Sequence, residues 1–221
     1  MQTMDWLTWQ LADSAFPTGG FAHSGGLEAA WQLGLVVGDS LERFVLQALD
    51  HGCSAALPIV AAAHADPGRF DELDELAGAA LSNHVAHRAS RAQGAALIAT
   101  AAAAFGAPGI VDLRARARRE TLPLHLAPCF GFVTRALEVP SAGAVRLFSF
   151  LALRTLLSSA VRLGAIGPLE AQAIQHRISP RAEEIAGRHA RRPPEELAQT
   201  HPLLELFQAQ HDRLYSRLFS S

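Results

Sequence analysis

Apolar residues recur along this chain at the three- and four-residue spacing of helices that bury one face. Alternating runs of β-branched and aromatic residues, which are typical of strands, are missing, and alanine and leucine supply most of the apolar positions. We therefore predict an all-α protein, a single-domain helical bundle of roughly ten helices with short loops. The clearest example of the spacing follows Gly38-Asp39-Ser40 and comprises Leu41, Phe44, Val45, Ala48 and Leu49.

Caps, prolines and turn residues divide this pattern into segments. A first short helix around residues 6–11 should end at the turn-rich residues 16–20, and Pro58 should bend or end the third helix. Residues 106–128 are expected to be the least regular region. The other predicted helix starts are His23 or Ser24, Ser40, Asp66-Pro67, Ser82 (to about Phe105), Ser141 as the cap of residues 142–163, Leu169, Pro180, Pro193-Pro194 and Pro202.

The chain shows no long linker and no low-complexity spacer, so residues 1–221 are predicted to form one helical domain. A basic run lies within the region expected to be irregular. Such a run is typical of a solvated helix face or loop, and the alternative is a patch for an acidic partner. The run consists of Arg114, Arg116, Arg118 and Arg119.

Composition and charge narrow the function classes. The chain is 49% apolar and 18% charged, which favours a folded core, and its net charge of −2 offers no basic surface for nucleic acid or for a membrane. It contains no lysine, which excludes a P-loop nucleotide site and Schiff-base catalysis. Two cysteines, Cys53 and Cys129, and an N-terminus without a secretory signal pattern predict a cytoplasmic location.

The sequence Ala22-His23-Ser24-Gly25-Gly26 approximates the nucleophile elbow of an α/β-hydrolase, with alanine at the first glycine position. An elbow requires a strand that leads into the serine, whereas a turn-rich run precedes this one. We therefore interpret Ser24 as a helix cap, and a serine hydrolase using Ser24 remains an alternative function. The neighbouring glycines could also cradle a phosphate, but without a lysine they are better interpreted as allowing close backbone approach.

Ten histidines raise the question of a metal site. His84 and His87 are three residues apart on a predicted helix, and His51 is close to Cys53. Neither pair has further ligands at a recognisable spacing. We therefore predict no catalytic, cofactor-binding or metal-binding residues.

The last eight residues, 214–221, contain the only tyrosine, an arginine and several large apolar side chains. Chain ends are usually polar and poorly ordered, whereas aromatic and arginine side chains are enriched in protein interfaces. We predict that residues 212–221 form an interface segment. The alternative is a terminal helix that docks on its own core.

Two stretches at the ends of the chain resemble the opening and closing signatures of the urease accessory protein UreF family. The first is LADSAFPTGGFAHSGGLE at residues 11–28, and the second comprises PLLE at 202–205 and HDRLYSRLF at 211–219. Residues 159–172 resemble an internal segment of the same family, and residues 125–131 resemble its central segment more loosely. The resemblance spans essentially the whole chain.

This resemblance implies an all-helical protein without catalytic activity that acts as a scaffold in urease maturation. The implied partners are accessory protein D (called H in some organisms), the nickel GTPase UreG, which the scaffold would recruit or gate, and apo-urease. A homodimer within that complex is also implied. A generic helical adaptor unrelated to nickel is the competing hypothesis. The predicted partner-binding residues are Phe16, Pro17, Gly19, Gly20, Phe21, His23, Ser24, Tyr215, Arg217, Leu218 and Phe219.

Overall fold

The structure is a computed structural model that describes residues 2–38, 40–198 and 201–220. These residues form ten α-helices joined by loops and short 3-10 turns, and they contain no β-strand. The predicted all-α class is thus confirmed. The helices are α1 (Gln2–Ala12), α2 (Leu27–Gln32), α3 (Ser40–Ala65), α4 (Phe70–Ala80), α5 (His84–Phe105), α6 (Pro108–Glu120), α7 (Leu126–Ala136), α8 (Ser141–Arg162), α9 (Pro168–His189) and α10 (Pro202–Gln210).

Helix α3 is central to the fold because it packs against α4, α7, α8 and α9. Its first part, up to Leu57, belongs to an apolar cluster shared with α2, α8, α9 and α10. Its last part, from Ile59 onward, belongs to a second cluster shared with α4 to α8. Because α3 and α8 contribute to both clusters, these two helices join the two parts of the core.

Pro58 lies inside α3, and the helix continues through it to Ala65. Of the two predicted outcomes, a bend or an end of the third helix at Pro58, the end is wrong. A proline has no N–H to donate to the carbonyl of Ser54, which is a local cost. Its neighbours Leu57 and Ile59 are both fully buried, one in each apolar cluster. Tertiary packing of the two halves outweighs that cost.

Two glycines allow close backbone approach around α7, one within α7 and one on the neighbouring helix α5. A Cβ added to Gly131 of α7 would lie 2.4 Å from the carbonyl oxygen of Val60 in α3. A Cβ added to Gly94 of α5 would lie 2.0 Å from the carbonyl oxygen of Leu124, just before α7. Neither position has room for a side chain, so both glycines are required by close backbone approach.

Residues 106–128 are mostly helical, so the prediction of an irregular region is wrong. Helix α6 begins with Pro108 and buries Ile110 and Leu113 at helical spacing. The basic run occupies the rest of this helix, where Arg116 forms a bidentate ion pair with Asp71. The narrow apolar stripe is difficult to recognise among so many arginines. A solvated helix face, one of the two interpretations of the run, agrees with this geometry.

Several predicted boundaries also differ from the observed ones. Helix α9 begins at Pro168 and passes through Pro180, so no helix begins at Pro180. Pro194 starts only a 3-10 turn, Pro194–Glu196. Ser141 is the first residue of α8, and Pro140 occupies the capping position. The start of the last helix at Pro202 is confirmed.

Helices α3 and α8 are long and apolar enough to cross a membrane, judged by length and composition alone. In these two helices, 56% and 50% of the most apolar window is buried inside the protein. Both helices contribute to both apolar clusters. Their hydropathy is therefore explained by their place in the core.

Candidate partner-binding surface

The segment between α1 and α2 crosses the outer surfaces of α5 and α8. The ring of Phe16 stacks on that of Phe105 at the end of α5, with centroids 5.9 Å apart. The hydroxyl of Thr100 donates to the carbonyl of Pro17 at 3.2 Å. A Cβ added to Gly20 would lie 3.5 Å from Oε1 of Gln93, which is ordinary contact. The segment is therefore seated on the bundle rather than projecting from it.

The second half of this segment turns into α2 through two glycines with positive φ. Gly25 has φ 61° and Gly26 has φ 87°, a region that favours glycine over other residues. A Cβ added to Gly26 would lie 3.0 Å from Cγ of Gln208, so the loop also fits closely against α10. Helix α2 begins at Leu27, later than the predicted start at His23 or Ser24. The Ser24 hydroxyl still accepts the amide hydrogen of Glu28, at 3.4 Å.

A buried carboxylate joins this loop to the C-terminal tail, which we define as residues 211–220. Glu28 has no exposure to solvent. Its Oε1 accepts the amide hydrogen of Leu218 at 2.6 Å, and its Oε2 accepts from Nε2 of His211 at 3.1 Å. Buried charged groups are costly unless they are paired or hydrogen-bonded, and both oxygens of this carboxylate have partners.

Further contacts hold the tail against the loop. The amide of Ser220 donates to the carbonyl of Ala22 at 2.8 Å. The guanidinium of Arg162, at the end of α8, donates to the carbonyl of Leu218 and lies 4.1 Å from the ring centroid of Phe219. Phe219 is itself buried. The tail docks on its own core, as the alternative interpretation held, but as an irregular segment after the 3-10 turn 211–213 and not as a helix.

Ionic contacts surround the start of the tail. Asp212 accepts from Arg88 at 2.9 and 3.3 Å and lies 3.1 Å from Nε2 of His84. The hydrogen bonds from Arg88, followed by those from His84, lower the pKa of the Asp212 carboxyl to about 2. Burial, with smaller contributions from His211 and Arg88, lowers the pKa of His23 to about 4. His23 is therefore neutral at pH 7.

The structure brings the predicted site residues of the loop and those of the tail together. Some of these residues face outward and others are buried. Tyr215 is fully exposed, and Arg217 and Leu218 are about half exposed. Ser24 and Phe219 are buried within the chain and offer no surface to a partner. Pro17 and Gly19 are exposed, Phe16, Gly20 and His23 are half-buried, and the side chain of Phe21 lies outside the described residues.

Exposed apolar side chains follow α2, which contacts the tail, and occur on α10, which precedes the tail. Leu33 and Leu35 follow Gln32, whose side-chain amide donates to the carbonyl of Ser216 at 3.0 Å. Leu203 and Leu206 are also exposed, on α10, which packs against α2 and α5. Large exposed apolar groups around a polar rim are typical of protein interaction sites. We call the exposed parts of residues 33–37, 203–206 and 215–218 the tail surface.

Sequence reasoning missed the residues that hold this site together, namely Glu28, His211, Arg162 and Asp212. One signal was available. Glu28 is the single charge in the otherwise apolar run 27–31, and a lone carboxylate in such a run needs a buried partner. The partner itself could not be found in this way, because His211 lies far away along the chain.

Two observations on the described residues bear on the hydrolase alternative and on a metal centre. In the described part of the chain no strand precedes Ser24, so the nucleophile-elbow context is absent. The same residues contain no group of three or more histidine, cysteine, aspartate or glutamate side chains placed to hold a metal ion.

Comparisons with known proteins agree with the resemblance in the end segments. The profile of the UreF family matches residues 37–179. The chain is 41% identical to urease accessory protein F of Arabidopsis thaliana, covering 99% of this chain and 93% of that protein. It is 40% identical to the protein of the same name from Oryza sativa subsp. indica, over 97% of this chain and 84% of that protein. It is 30% identical to urease accessory protein UreF of Arthrobacter sp. (strain FB24), over 96% of this chain and 95% of that protein. The chain therefore belongs to the UreF family of urease accessory proteins.

Proposed function

We propose that this protein is a non-catalytic scaffold of urease maturation that binds the D/H-type accessory protein through the tail surface. In this role it recruits or gates the nickel GTPase UreG, so that nickel is inserted into apo-urease. The protein acts in the cytoplasm and as a homodimer within the complex. Membership of a family of urease accessory proteins supports the maturation role.

One observation carries the proposal: the first and last signature segments meet at Glu28. The contacts among Glu28, Leu218 and His211 hold the tail in place. An ordered tail presents Tyr215 and Arg217 without the entropy cost of folding on binding. Aromatic and arginine side chains of this kind supply most hot spots of protein interfaces.

A scaffold without its own catalysis is also supported by the inaccessibility of Ser24, the nucleophile of the alternative hydrolase hypothesis. Ser24 is completely buried, and its hydroxyl accepts an amide hydrogen from α2. A substrate carbonyl cannot reach this oxygen without unfolding of the loop. Both cysteines are buried as well, and burial raises the pKa of each thiol, that of Cys53 to about 12.

The proposal is tested by co-purification with the D-type protein and the GTPase. The parent chain should capture the D-type protein directly and the GTPase in its presence. The double variant Tyr215→Ala/Leu218→Ala should lose capture by roughly tenfold or more while its melting temperature stays unchanged. Leu169→Ala is the matched control, because Leu169 is also highly exposed but lies at the start of α9.

Capture by the control and loss by the double variant would support the tail surface as the docking site. Equal capture by both variants would place the docking site elsewhere and contradict the proposal. If the parent chain captured neither protein, a helical adaptor unrelated to nickel would replace the scaffold as the better hypothesis.

A further inference from the structure

The basic run of α6 is divided between two edges of the helix. On the edge that faces α4, Arg116 pairs with Asp71 at 2.7 Å and lies 3.8 Å from Glu120. Arg119 lies 3.6 Å from the same glutamate. Asp112 lines a cleft with Asp71 on this side as well. Carboxylates within the chain therefore balance the positive charges of this edge.

The other edge carries Arg114 and Arg118 without a carboxylate. At about 100° per residue, these two arginines lie across the buried stripe of α6 from Arg116, on the side where α6 packs against α5. Within the described residues neither forms an ion pair, and the buried Nε of Arg114 has no hydrogen-bond partner. Arg118 is exposed. Carboxylates for these two guanidinium groups must therefore come from outside the described chain.

Helix α5 extends this edge and adds no negative charge to it. Residues 76–111 contain no aspartate or glutamate, and neither do residues 121–137. The Nε of Arg91 in α5 donates to the carbonyl of Pro123, just beyond the end of α6, at 3.4 Å. A third cation thus lies near the C-terminal end of α6. We call Arg91, Arg114 and Arg118 the arginine edge.

The outer face of α5 lies between the arginine edge and the loop that precedes α2. That loop contacts α5 at Gln93, Thr100 and Phe105. The outward positions between these contacts and α6 recur at three- and four-residue spacing, are exposed or half-buried, and are all alanine: Ala92, Ala95, Ala99 and Ala103. Since a methyl group is the longest side chain on this face, another helix can approach the backbone of α5 closely.

We propose that the arginine edge and the adjoining alanine face of α5 dock an acidic helix of a partner protein. Guanidinium groups bind carboxylates through charge-assisted, often bidentate hydrogen bonds. Arg114 and Arg118 are separated by about 6 Å along their helix, which is also the separation of two glutamates four residues apart on a partner helix. Charge complementarity of this kind selects the partner and its orientation.

The alanine face favours a protein helix over a nucleic acid. Proteins that bind single strands combine basic groups with aromatic side chains on which bases stack, whereas this face offers only methyl groups. The proposed surface shares no residue with the tail surface. It therefore does not depend on the function proposed above.

The test is fluorescence anisotropy of the full chain with a labelled helical peptide of about sixteen residues, built from alanine with glutamate at every fourth position. The peptide should bind saturably, and added salt should weaken the binding. The same peptide with glutamine in place of glutamate should not bind. The double variant Arg114→Gln/Arg118→Gln should bind the acidic peptide roughly tenfold more weakly than the parent.

A second double variant controls for net charge. Arg43→Gln/Arg135→Gln removes the same charge from α3 and α7, where both arginines are exposed and form no ion pair within the described residues. It should bind the peptide as the parent does. Arg118→Glu reverses one exposed charge and should weaken binding further than Arg118→Gln. Circular dichroism melting of each variant checks that the fold is retained.

Loss of affinity in Arg114→Gln/Arg118→Gln, with the α3 and α7 control unchanged, would support the surface. Equal loss in both double variants would mean that only net charge matters, and it would overturn the proposal. Absence of saturable binding at low salt would also overturn it. Tighter binding of a single-stranded oligonucleotide than of the peptide, through the same arginines, would replace the acidic helix with a nucleic acid. The variant Tyr215→Ala/Leu218→Ala should bind the peptide normally, so failure of the tail surface and failure of this surface are separately visible.

Discussion

The amide of Leu218 donates a hydrogen bond of 2.6 Å to the carboxylate of Glu28, a side chain with no exposure to solvent. The donor lies near the C-terminus, and the acceptor lies in the first turn of α2. His211 donates to the other oxygen of the same carboxylate. One buried side chain therefore connects the beginning and the end of the chain, and the shape of the tail surface depends on it.

Replacing Glu28 with alanine should loosen the tail. The amide of Leu218 and Nε2 of His211 would both lose their acceptor in a buried environment, and each unsatisfied buried group typically costs about 1–3 kcal/mol. We expect a lower free energy of unfolding and faster hydrogen exchange in residues 214–220. Chemical denaturation and exchange monitored by mass spectrometry measure the two effects.

Glu42→Ala is the control for this substitution. Glu42 forms an exposed ion pair with Arg177, so its loss should cost less than about 1 kcal/mol and leave exchange in the tail unchanged. Tail exchange in Glu28→Ala that matched the parent rate would show that the carboxylate is not the anchor.

A second prediction concerns the close crossing of α3 and α7. Gly131→Ala forces a methyl group to within 2.4 Å of the Val60 carbonyl, and overpacking of this kind costs about 1–3 kcal/mol or more. The same exchange at Gly187 in α9 meets no atom within 4 Å and should stabilise the helix by about 0.5–1 kcal/mol. The melting temperature should therefore fall in Gly131→Ala and rise in Gly187→Ala, each compared with the parent. A shift of Gly131→Ala in the stabilising direction would mean that the two helices can separate at little cost.

The sequence predicted the parts of the fold that depend on local pattern. The spacing of apolar residues after Ser40 and the proline at 202 identified helices that the structure contains. Prediction failed where distant packing decides the outcome. Pro58 is accommodated because its neighbours are buried in two clusters, and α6 is helical because a stripe of only a few apolar residues faces the core.

The candidate site shows the same division. The unusual composition of the tail was visible in the sequence, and so were the glycines that allow the loop to turn. The sequence did not indicate which tail residues face outward. Leu218 and Phe219 are adjacent and both apolar, yet only Phe219 is buried. The difference follows from Arg162, whose guanidinium lies over the Phe219 ring, and this contact joins residues that are remote in sequence.

The third prediction concerns stability in mild acid. His23 has a pKa of about 4 in the folded protein, compared with 6.5 in an unfolded chain. Between these two values the unfolded state binds more protons, so the free energy of unfolding should fall as the pH falls from about 6.5 to about 4. His23→Gln removes this titration, and its loss of stability between pH 7 and pH 5 should be smaller than that of the parent. Denaturant titrations at both pH values give the comparison, in which the other nine histidines are common to both proteins. An equal loss in the two proteins would mean that His23 is as easily protonated in the folded state as in the unfolded state.

Arg217 provides the most direct test of the tail surface. Its side chain is 49% exposed, and Nη1 lies 3.6 Å from Oδ1 of Asp212. Asp212 remains paired with Arg88 when Arg217 is removed, so Arg217→Ala should leave the fold and the melting temperature nearly unchanged. Truncation of an arginine anchor typically costs about 1–4 kcal/mol of binding, which is a factor of roughly ten to a thousand in affinity.

We therefore expect Arg217→Ala to weaken assembly with the D-type protein and the GTPase, and with it urease activation in cells. Arg217→Lys distinguishes the planar guanidinium from its charge, because lysine cannot reproduce a bidentate contact to a carboxylate or to paired carbonyls. Arg181→Ala is the control, since Arg181 is also exposed but lies on α9. The expected order of affinity is parent equal to Arg181→Ala, then Arg217→Lys, then Arg217→Ala. Normal assembly of Arg217→Ala would remove this residue from the interface, and unfolding of the variant would show that the tail needs Arg217 for its own structure.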